Sequence, residues 1–167
     1  MISCASSFPK LSAASRKNES ECIKGARKRI LLEIWTEDFY AVDDDLKAAA
    51  ARGVKVIIVI LGVIIADYAE VYQHDMSEII TEEYGGRWII FSVDNEQVIA
   101  GAVSLEESSR AAWTAHTGLV TPITEVILHD LYIVEIMDEF REQIEEKFGK
   151  NLVKLRQKYS LYRGDNT

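Results

Sequence analysis

The chain has 167 residues, 48% of them hydrophobic, so it is long and apolar enough to bury the core of a single domain. Its 27 acidic and 19 basic residues give a net charge of −8, which opposes the phosphate contacts behind non-specific nucleic-acid binding. Cys4 and Cys22 are too few for a disulfide framework and lack the spacing of a zinc site. The composition therefore argues against disorder, a disulfide-rich fold and DNA binding by this chain alone.

Residues 1–18 are mostly small and polar, and we expect them to form an N-terminal arm ahead of one domain spanning residues 19–167. The arm does not resemble a secretory signal, and the longest apolar stretch, Val56 to Ala66, is about half the length of a membrane-spanning helix. These features predict a cytoplasmic protein that does not enter a membrane.

The first half of the domain predicts a helix, a strand, a second helix and a second strand. Glu19 to Arg29 reads as a helix that leads into the apolar strand RILLEIW. Three carboxylates, Asp43 to Asp45, mark the start of the next helix, which ends at Arg52-Gly53. The β-branched run Val54 to Leu61 follows at once. Connections this short predict two parallel neighbouring strands that are covered on both faces.

The middle of the chain predicts a cap over the sheet and then a hairpin. Helical signals at Asp67–Tyr72 and Ser77–Tyr84 indicate the cap. Trp88–Val93 and Gln97–Val103 are strand candidates joined by the tight turn Asp94-Asn95-Glu96, which makes the two strands antiparallel. The sheet is therefore expected to be mixed.

The last long element is a helix that starts near Thr117–Pro122 and runs to Phe148, before Gly149. Its apolar residues recur at helical spacing and predict one buried stripe. The fold class is accordingly α/β, a mixed sheet flanked by helices with a long C-terminal helix. The residues of the predicted stripe are Leu119, Ile123, Val126, Ile127, Val134, Met137, Ile144 and Phe148.

The segment RWIIFSVDNEQVIAGAVS resembles a degenerate phospholipase D motif, whose pattern is HxKxxxxD, six residues, then GSxN. Asp94 and Gly101 stand at the Asp and first Gly positions with the correct gap. The reactive residues are replaced: Arg87 stands for the histidine, Ile89 for the lysine, Ala102 for the serine and Ser104 for the asparagine. The resemblance implies a phospholipase-D-like fold that has lost its chemistry.

Phosphoryl transfer of this type needs an imidazole nucleophile and a nearby cation. Each of the three histidines, His74, His116 and His129, lacks a lysine two positions later. We therefore expect the chain not to be an enzyme. A simpler reading of Asp94 remains open, because a hairpin turn explains it without any shared ancestry.

Four segments occur in the order and spacing of TrmB-family transcriptional regulators, and the chain resembles that family from about Ser20 to Phe148. In the family this region is a phospholipase-D-like effector domain that binds a small molecule, often a sugar, and follows a winged helix that binds DNA. The resemblance implies that DNA is contacted only through a winged helix absent from this chain. The segments are KRILLEIWTEDF, LKAAAARGVKVIIVILG, WIIFSVDNEQVIAGAV and AAWTAHTGLVTPITEVILHDLYIVEIMDEF.

The same resemblance implies a homodimer. Phospholipase-D-like enzymes join two motif halves across a seam, and this chain carries one half. The long helix and the N-terminal helix are the candidate interface.

Candidate ligand contacts gather where the predicted parallel strands end. Trp35 and Gly62 close the two strands, and ligands collect outside the carboxyl ends of parallel strands. Glu33 lies inside the first strand, where its carboxylate either binds ligand hydroxyls or is solvated at a sheet edge; the two readings are equally open.

Further candidates lie in the second half of the chain. Asp130 falls within the apolar stripe and is explained either by a structural hydrogen bond, for example with Arg110, or by ligand contact. Trp113 and His116 are expected in a loop before the long helix, where an indole stacks on a sugar face or plugs the core. Asp94 completes the ligand candidates, and Arg87 is expected to be exposed. His129 beside Asp130 makes a poor metal pair, and we predict neither a metal nor another cofactor.

These observations predict a catalytically inactive sensing and dimerisation domain of a TrmB-like regulator. Two alternatives stay open. One is a phospholipase-D-like phosphodiesterase or nuclease, and the other is a pure assembly module.

Overall fold

The computed structural model describes residues 13–74, 86–104 and 110–159, in which five α-helices surround one six-stranded sheet. The predicted helix at Ser77–Tyr84 lies outside these residues. The helices are α1 (Ala13–Gly25), α2 (Thr36–Phe39), α3 (Asp43–Ala51), α4 (Thr117–Phe148) and α5 (Val153–Tyr159). The strands are β1 (Arg29–Trp35), β2 (Lys55–Leu61), β3 (Glu70–His74), β4 (Gly86–Val93), β5 (Gln97–Ser104) and β6 (Arg110–Thr114).

The sheet is mixed, as predicted, with the strand order β3-β2-β1-β4-β5-β6. β1 pairs with β2 in parallel and with β4 in antiparallel fashion, so it is a central strand. β4 and β5 form the predicted hairpin, and the amide of Glu96 donates to the carbonyl of Val93 to close the turn. Asp94 and Asn95 both have positive φ, the geometry that a two-residue type I′ turn requires.

Helices cover both faces of β1, which explains why the strand is almost entirely apolar. Alternate residues Ile30, Leu32 and Ile34 enter the main core with Ile23 of α1 and Leu46 of α3. On the opposite face, Leu31 packs with Ile127 and Leu131 of α4. The sheet is thus a wall between a larger core under α1 to α3 and a smaller one under α4.

Two strand assignments differ from the sequence-based prediction. The helical signal at Asp67–Tyr72 was wrong, because the chain forms the parallel edge strand β3 there, paired with β2. Trp113 was expected in a loop but lies in β6, the other edge strand. The N-terminal helix also differs in its bounds, since it starts at Ala13 and ends at Gly25 before the bend that leads to β1.

The long helix was predicted correctly, but its buried face only in part. α4 is irregular at Phe140, where φ is −122°, and of the predicted stripe only Ile127 and Val134 are fully buried. Leu119 and Val126, predicted to be buried, are about half exposed. The buried residues of α4 are Val120, Thr124, Ile127, Leu131 and Val134. No helix within the described ranges is long and apolar enough to cross a membrane.

Candidate functional site

Arg87 occupies the position at which the phospholipase D motif carries its histidine, and it is buried, contrary to the prediction of an exposed residue. Only 5% of its side chain is exposed, and its Nε and Nη2 atoms donate to the two carboxylate oxygens of Asp38 at 2.8 and 3.2 Å. Asp38 lies on α2, directly after β1, with 13% of its side chain exposed. The two-pronged ion pair holds Arg87 against the scaffold and supplies no nucleophile.

The other motif positions lie around this pair. Ile89 shares the buried face of β4 with Arg87 and pairs in register with Gly101 on β5. Ala102 and Ser104 pair in register with Trp88 and Gly86. The enzyme motif has a lysine two residues after its histidine. At that position this chain has Ile89, whose aliphatic side chain lies in the core.

Asp94, at the acidic position of the motif, has a structural role at the opposite end of β4. Its carboxylate accepts three backbone hydrogen bonds of 2.8 Å, from the amides of Arg27, Lys28 and Arg29. Burial alone raises the pKa of Asp94, but these three amides outweigh it, so the pKa lies below its usual value. The hairpin is thereby fixed to the loop between α1 and β1.

Glu33 and Asp130, two of the predicted ligand residues, are brought together across the interface between β1 and α4. Glu33 is 1% exposed on a central strand, so the edge-strand reading was wrong. Burial, followed by repulsion from Asp130, raises the pKa of Glu33 to about 8. The indole Nε1 of Trp88 donates to Glu33 Oε1 at 2.5 Å, and this hydrogen bond lowers the pKa of Glu33 and so opposes the other two causes.

The elevated pKa means that the Glu33 carboxyl is protonated at neutral pH. Its second oxygen, Oε2, is buried without a hydrogen-bond partner among the described residues. A hydrogen bond with the side chain of Asp130 is a further cause of the raised pKa of Glu33. Glu33 is thus held in its neutral form next to a second carboxyl group.

Trp35 and Gly62 lie at the same end of the sheet as Glu33. The ring of Trp35 packs edge-on against Trp88 with centroids 6.2 Å apart, next to Leu61. Gly62 has a φ of +117°, and a Cβ there would lie 2.3 Å from the hydroxyl oxygen of Thr36. Both residues thus line a tightly packed sheet end, and the buried Trp35 Nε1 has no hydrogen-bond partner in the described part of the chain.

Trp113 lines an open cleft of about 300 Å³ between α1 and the β5–β6 edge of the sheet. Its indole Nε1 donates to Gln97 Oε1 at 3.0 Å, and the Cys22 thiol donates to the same oxygen at 3.4 Å. Burial raises the pKa of the Cys22 thiol; the bond with Trp113 opposes this, and the carboxylates of Glu21 and Glu19 reinforce it. The thiol is therefore a hydrogen-bonding group in the cleft wall and a poor nucleophile.

His116 caps the long helix. Its Nδ1 accepts the amide hydrogen of Gly118 at 3.1 Å, and its carbonyl accepts from the amides of Leu119 and Val120. The side chain thus satisfies one of the amides left open at a helix start.

The predicted ligand residues therefore separate into distinct places. Glu33, Trp35, Gly62 and Asp130 lie around one end of β1, whereas Trp113 lies on a cleft, Asp94 holds a loop and His116 caps a helix. Sequence reasoning missed Trp88, Gln97 and Asp38, whose roles depend on contacts between distant elements. Only Trp88 carried a signal, as a residue of an apolar strand. Within the described residues, no group of three or more His, Cys, Asp or Glu is placed to hold a metal ion.

Comparison with known proteins places this arrangement in a family. The family model described as transcriptional regulator TrmB, N-terminal subdomain of the effector-binding domain, matches residues 12–117. The protein YrhO of Bacillus subtilis (strain 168) is 59% identical over 141 residues, which cover 84% of this chain and 51% of YrhO. The chain therefore spans about half the length of the curated relative it matches.

Solved structures share the fold at low sequence identity. TrmBL2, an archaeal chromatin protein, is 17% identical with a TM-score of 0.53, over 69% of this chain and 47% of that one. NucT from Helicobacter pylori is 12% identical with a TM-score of 0.55, over 71% and 88% of the two chains. The phospholipase D family member Nuc from Salmonella typhimurium is 18% identical with a TM-score of 0.53, over 70% and 86%. The fold is thus phospholipase-D-like, as predicted, and the chain belongs to the TrmB family of transcriptional regulators, of which it carries the N-terminal subdomain of the effector-binding domain.

Proposed function

We propose that this chain is a sensing domain that binds a small polar ligand, catalyses no hydrolysis and acts as a homodimer. The observation that carries the proposal is the Arg87–Asp38 ion pair, which fills the place of the reactive histidine with a buried, fully charged contact. A guanidinium is protonated at every physiological pH and cannot attack phosphorus. Membership of a regulator family supports the same conclusion.

Hydrolysis is tested with bis(p-nitrophenyl) phosphate in the presence of EDTA. We expect release of p-nitrophenol to stay at the rate of the buffer, because the motif lacks both an imidazole and a lysine. Metal-independent turnover that disappears when His74, His116 or His129 is changed to Ala would support the phosphodiesterase or nuclease alternative.

The ligand is a small polar molecule, and a sugar fits the chemistry of the predicted residues. Hydroxyl groups pair with carboxylates, and the apolar faces of sugar rings stack on indoles. Trp113 is the proposed contact among the predicted residues, because 52% of its surface is exposed and it borders an open cleft. The other six, Glu33, Trp35, Gly62, Asp94, His116 and Asp130, lie away from that cleft and make the contacts within the domain described above.

Ligand binding is tested by thermal unfolding with a panel of neutral sugars and nucleosides. A ligand that binds only the folded state raises the unfolding temperature in proportion to its occupancy. No stabilisation by any compound would favour the assembly-module alternative.

The dimer is proposed to form through the outer face of α4. Six large apolar side chains are exposed there, and four of them recur every seven residues, which places them in one row along the helix. A row of this length on a soluble domain is typical of a contact surface. The six are Leu119, Val126, Tyr132, Ile133, Ile136 and Phe140.

Sedimentation equilibrium tests the dimer. We expect the wild-type chain to be dimeric at micromolar concentration and Val126→Glu to be monomeric, because the new charge would be buried against a second copy. Thr121→Glu introduces the same charge at an exposed site of α4 outside the row and serves as the control. A wild-type chain that is monomeric at micromolar concentration would contradict the dimer proposal.

The remaining proposals concern cellular context. Residues 19–167 are proposed as the sensing domain, although α1 begins ahead of this boundary, at Ala13. The domain works in the cytoplasm and contacts DNA only through a separate winged helix. The acidic net charge of −8 supports this division of labour, because it disfavours direct contact with phosphates.

A further inference from the structure

We infer that the cleft between α1 and the β5–β6 edge is a binding site for an uncharged, hydroxyl-bearing ring that stacks on Trp113 and hydrogen-bonds to Gln97. The inference rests on the proposed sensing function and specifies where the ligand binds and which charge it carries. The cleft is lined by Glu21, Cys22, Gln97 and Trp113.

Trp113 supplies an aromatic platform whose orientation is fixed. Half of its surface is exposed, although its Nε1 atom is engaged by Gln97 Oε1 at 3.0 Å. The hydrogen bond anchors the polar edge of the ring to β5 and leaves an indole face available to the cleft. Large exposed indoles are uncommon on soluble proteins and are enriched at recognition sites.

Gln97 supplies the polar amide group of the cleft, and the contacts of its oxygen are defined. Its side-chain oxygen accepts from both the Trp113 indole and the Cys22 thiol, at 3.0 and 3.4 Å. Because these two donors use the oxygen, the amide NH₂ group is the part of Gln97 that would donate to a ligand hydroxyl. The cleft thus combines an apolar platform with a polar amide, as sites for small polar ligands commonly do.

The charge of the cleft selects against anions. Glu21 lines it, and the carboxylates of Glu21 and Glu19 lie close enough to act on the Cys22 thiol. None of the described residues that line the cleft is basic. A phosphorylated or carboxylated ligand would lie beside the carboxylate of Glu21, which would repel it, whereas a neutral ring would not be repelled.

The site is tested by titrating the full chain with maltose, glucose, ribose and adenosine as neutral probes, and with glucose 6-phosphate as an anionic probe. The readouts are tryptophan fluorescence and the NMR shift of the Trp113 indole N–H, which Trp113→Phe identifies. We expect at least one neutral probe to shift that resonance, and Trp113→Ala to weaken its binding about tenfold.

Gln97→Ala, which keeps the indole, is expected to weaken the same probe about fivefold, a typical loss for one neutral hydrogen bond. Tyr40→Ala is the matched control, because Tyr40 is an exposed aromatic residue on the loop after α2, at the other end of the sheet.

Equal binding by wild type and Trp113→Ala overturns the site but leaves the sensing function standing. Preference for glucose 6-phosphate, or no response to any neutral probe, also overturns the inference. Phosphodiesterase activity would instead contradict the proposed function.

Discussion

Two pairs of ionisable residues, each with one fully buried member, lie on opposite faces of the same sheet, and burial is compensated differently in each. Under α1 to α3, Arg87 and Asp38 carry opposite charges and satisfy each other through two hydrogen bonds. Under α4, Glu33 and Asp130 are both acidic, and the raised pKa of Glu33 keeps its carboxyl neutral next to Asp130. The first pair is stabilised by opposite charges, whereas the second avoids repulsion between like charges by the protonation of Glu33.

The largest effect is expected from breaking the opposite-charge pair. Asp38→Ala leaves the buried Arg87 guanidinium without its partner, and we expect it to lower the free energy of unfolding by about 3 kcal/mol. Urea denaturation at pH 7 measures the loss. Glu37→Ala, at an exposed neighbouring position on α2, should change stability by less than about 0.5 kcal/mol. A loss below about 1 kcal/mol for Asp38→Ala would mean that the pair contributes little.

The second prediction concerns pH. The pKa of Glu33 is raised from 4.5 to about 8 in the folded state, so the folded protein holds a proton that the unfolded chain has lost at intermediate pH. The contribution of Glu33 to stability is therefore complete below pH 4.5 and disappears as pH rises through 8.

Glu33→Gln keeps the Trp88 contact and a donor towards Asp130 but cannot ionise. Relative to wild type, it should gain stability by about 1 kcal/mol per pH unit between pH 5 and 8. Chemical denaturation across this range measures the difference. Glu70→Gln, on an exposed carboxylate of β3 paired with Lys55, serves as the control. A difference in stability between Glu33→Gln and wild type that stays constant with pH would contradict the raised pKa of Glu33.

The smallest effect is expected from Asp130→Asn. Removing the like charge eliminates one of the two main causes of the raised Glu33 pKa but leaves the larger one, burial. The pH dependence of stability should shift towards lower pH by about one unit and remain visible. Asp138→Asn, an exposed carboxylate further along α4, is the control. If Asp130→Asn removed most of the pH dependence of stability, repulsion by Asp130, and not burial, would be the main cause of the raised pKa of Glu33.

The fold was largely predictable because the strongest local patterns agreed with the final packing. The β-branched run of β2 indicated a strand, and the three carboxylates in the first turn of α3 indicated the start of a helix. β3 was missed because EVYQH is an edge strand with exposed residues and no apolar alternation. The face of α4 was misjudged because apolar residues surround that helix, so periodicity alone could not tell which row meets the sheet.

Residues of the candidate site could be predicted from the sequence only where a polar residue interrupts an apolar pattern. Glu33 and Asp130 stood out as carboxylates within apolar patterns, and the structure places them next to each other. Their contact joins a strand to a helix almost a hundred positions later, which local sequence cannot specify. Gln97 gave no signal at all, because its role depends on the positions of Cys22 and Trp113.

The contacts of Asp94 bear on how active members of this architecture are recognised. Three backbone amides distant in sequence depend on its carboxylate, so its removal would release the segment that carries them, whereas an arginine and an isoleucine stand at the histidine and lysine positions of a well-packed protein. An aspartate at this position can therefore persist for architectural reasons, with or without the reactive groups. Recognition of an active relative should accordingly weigh the imidazole and the ammonium group, and give the acidic position no credit.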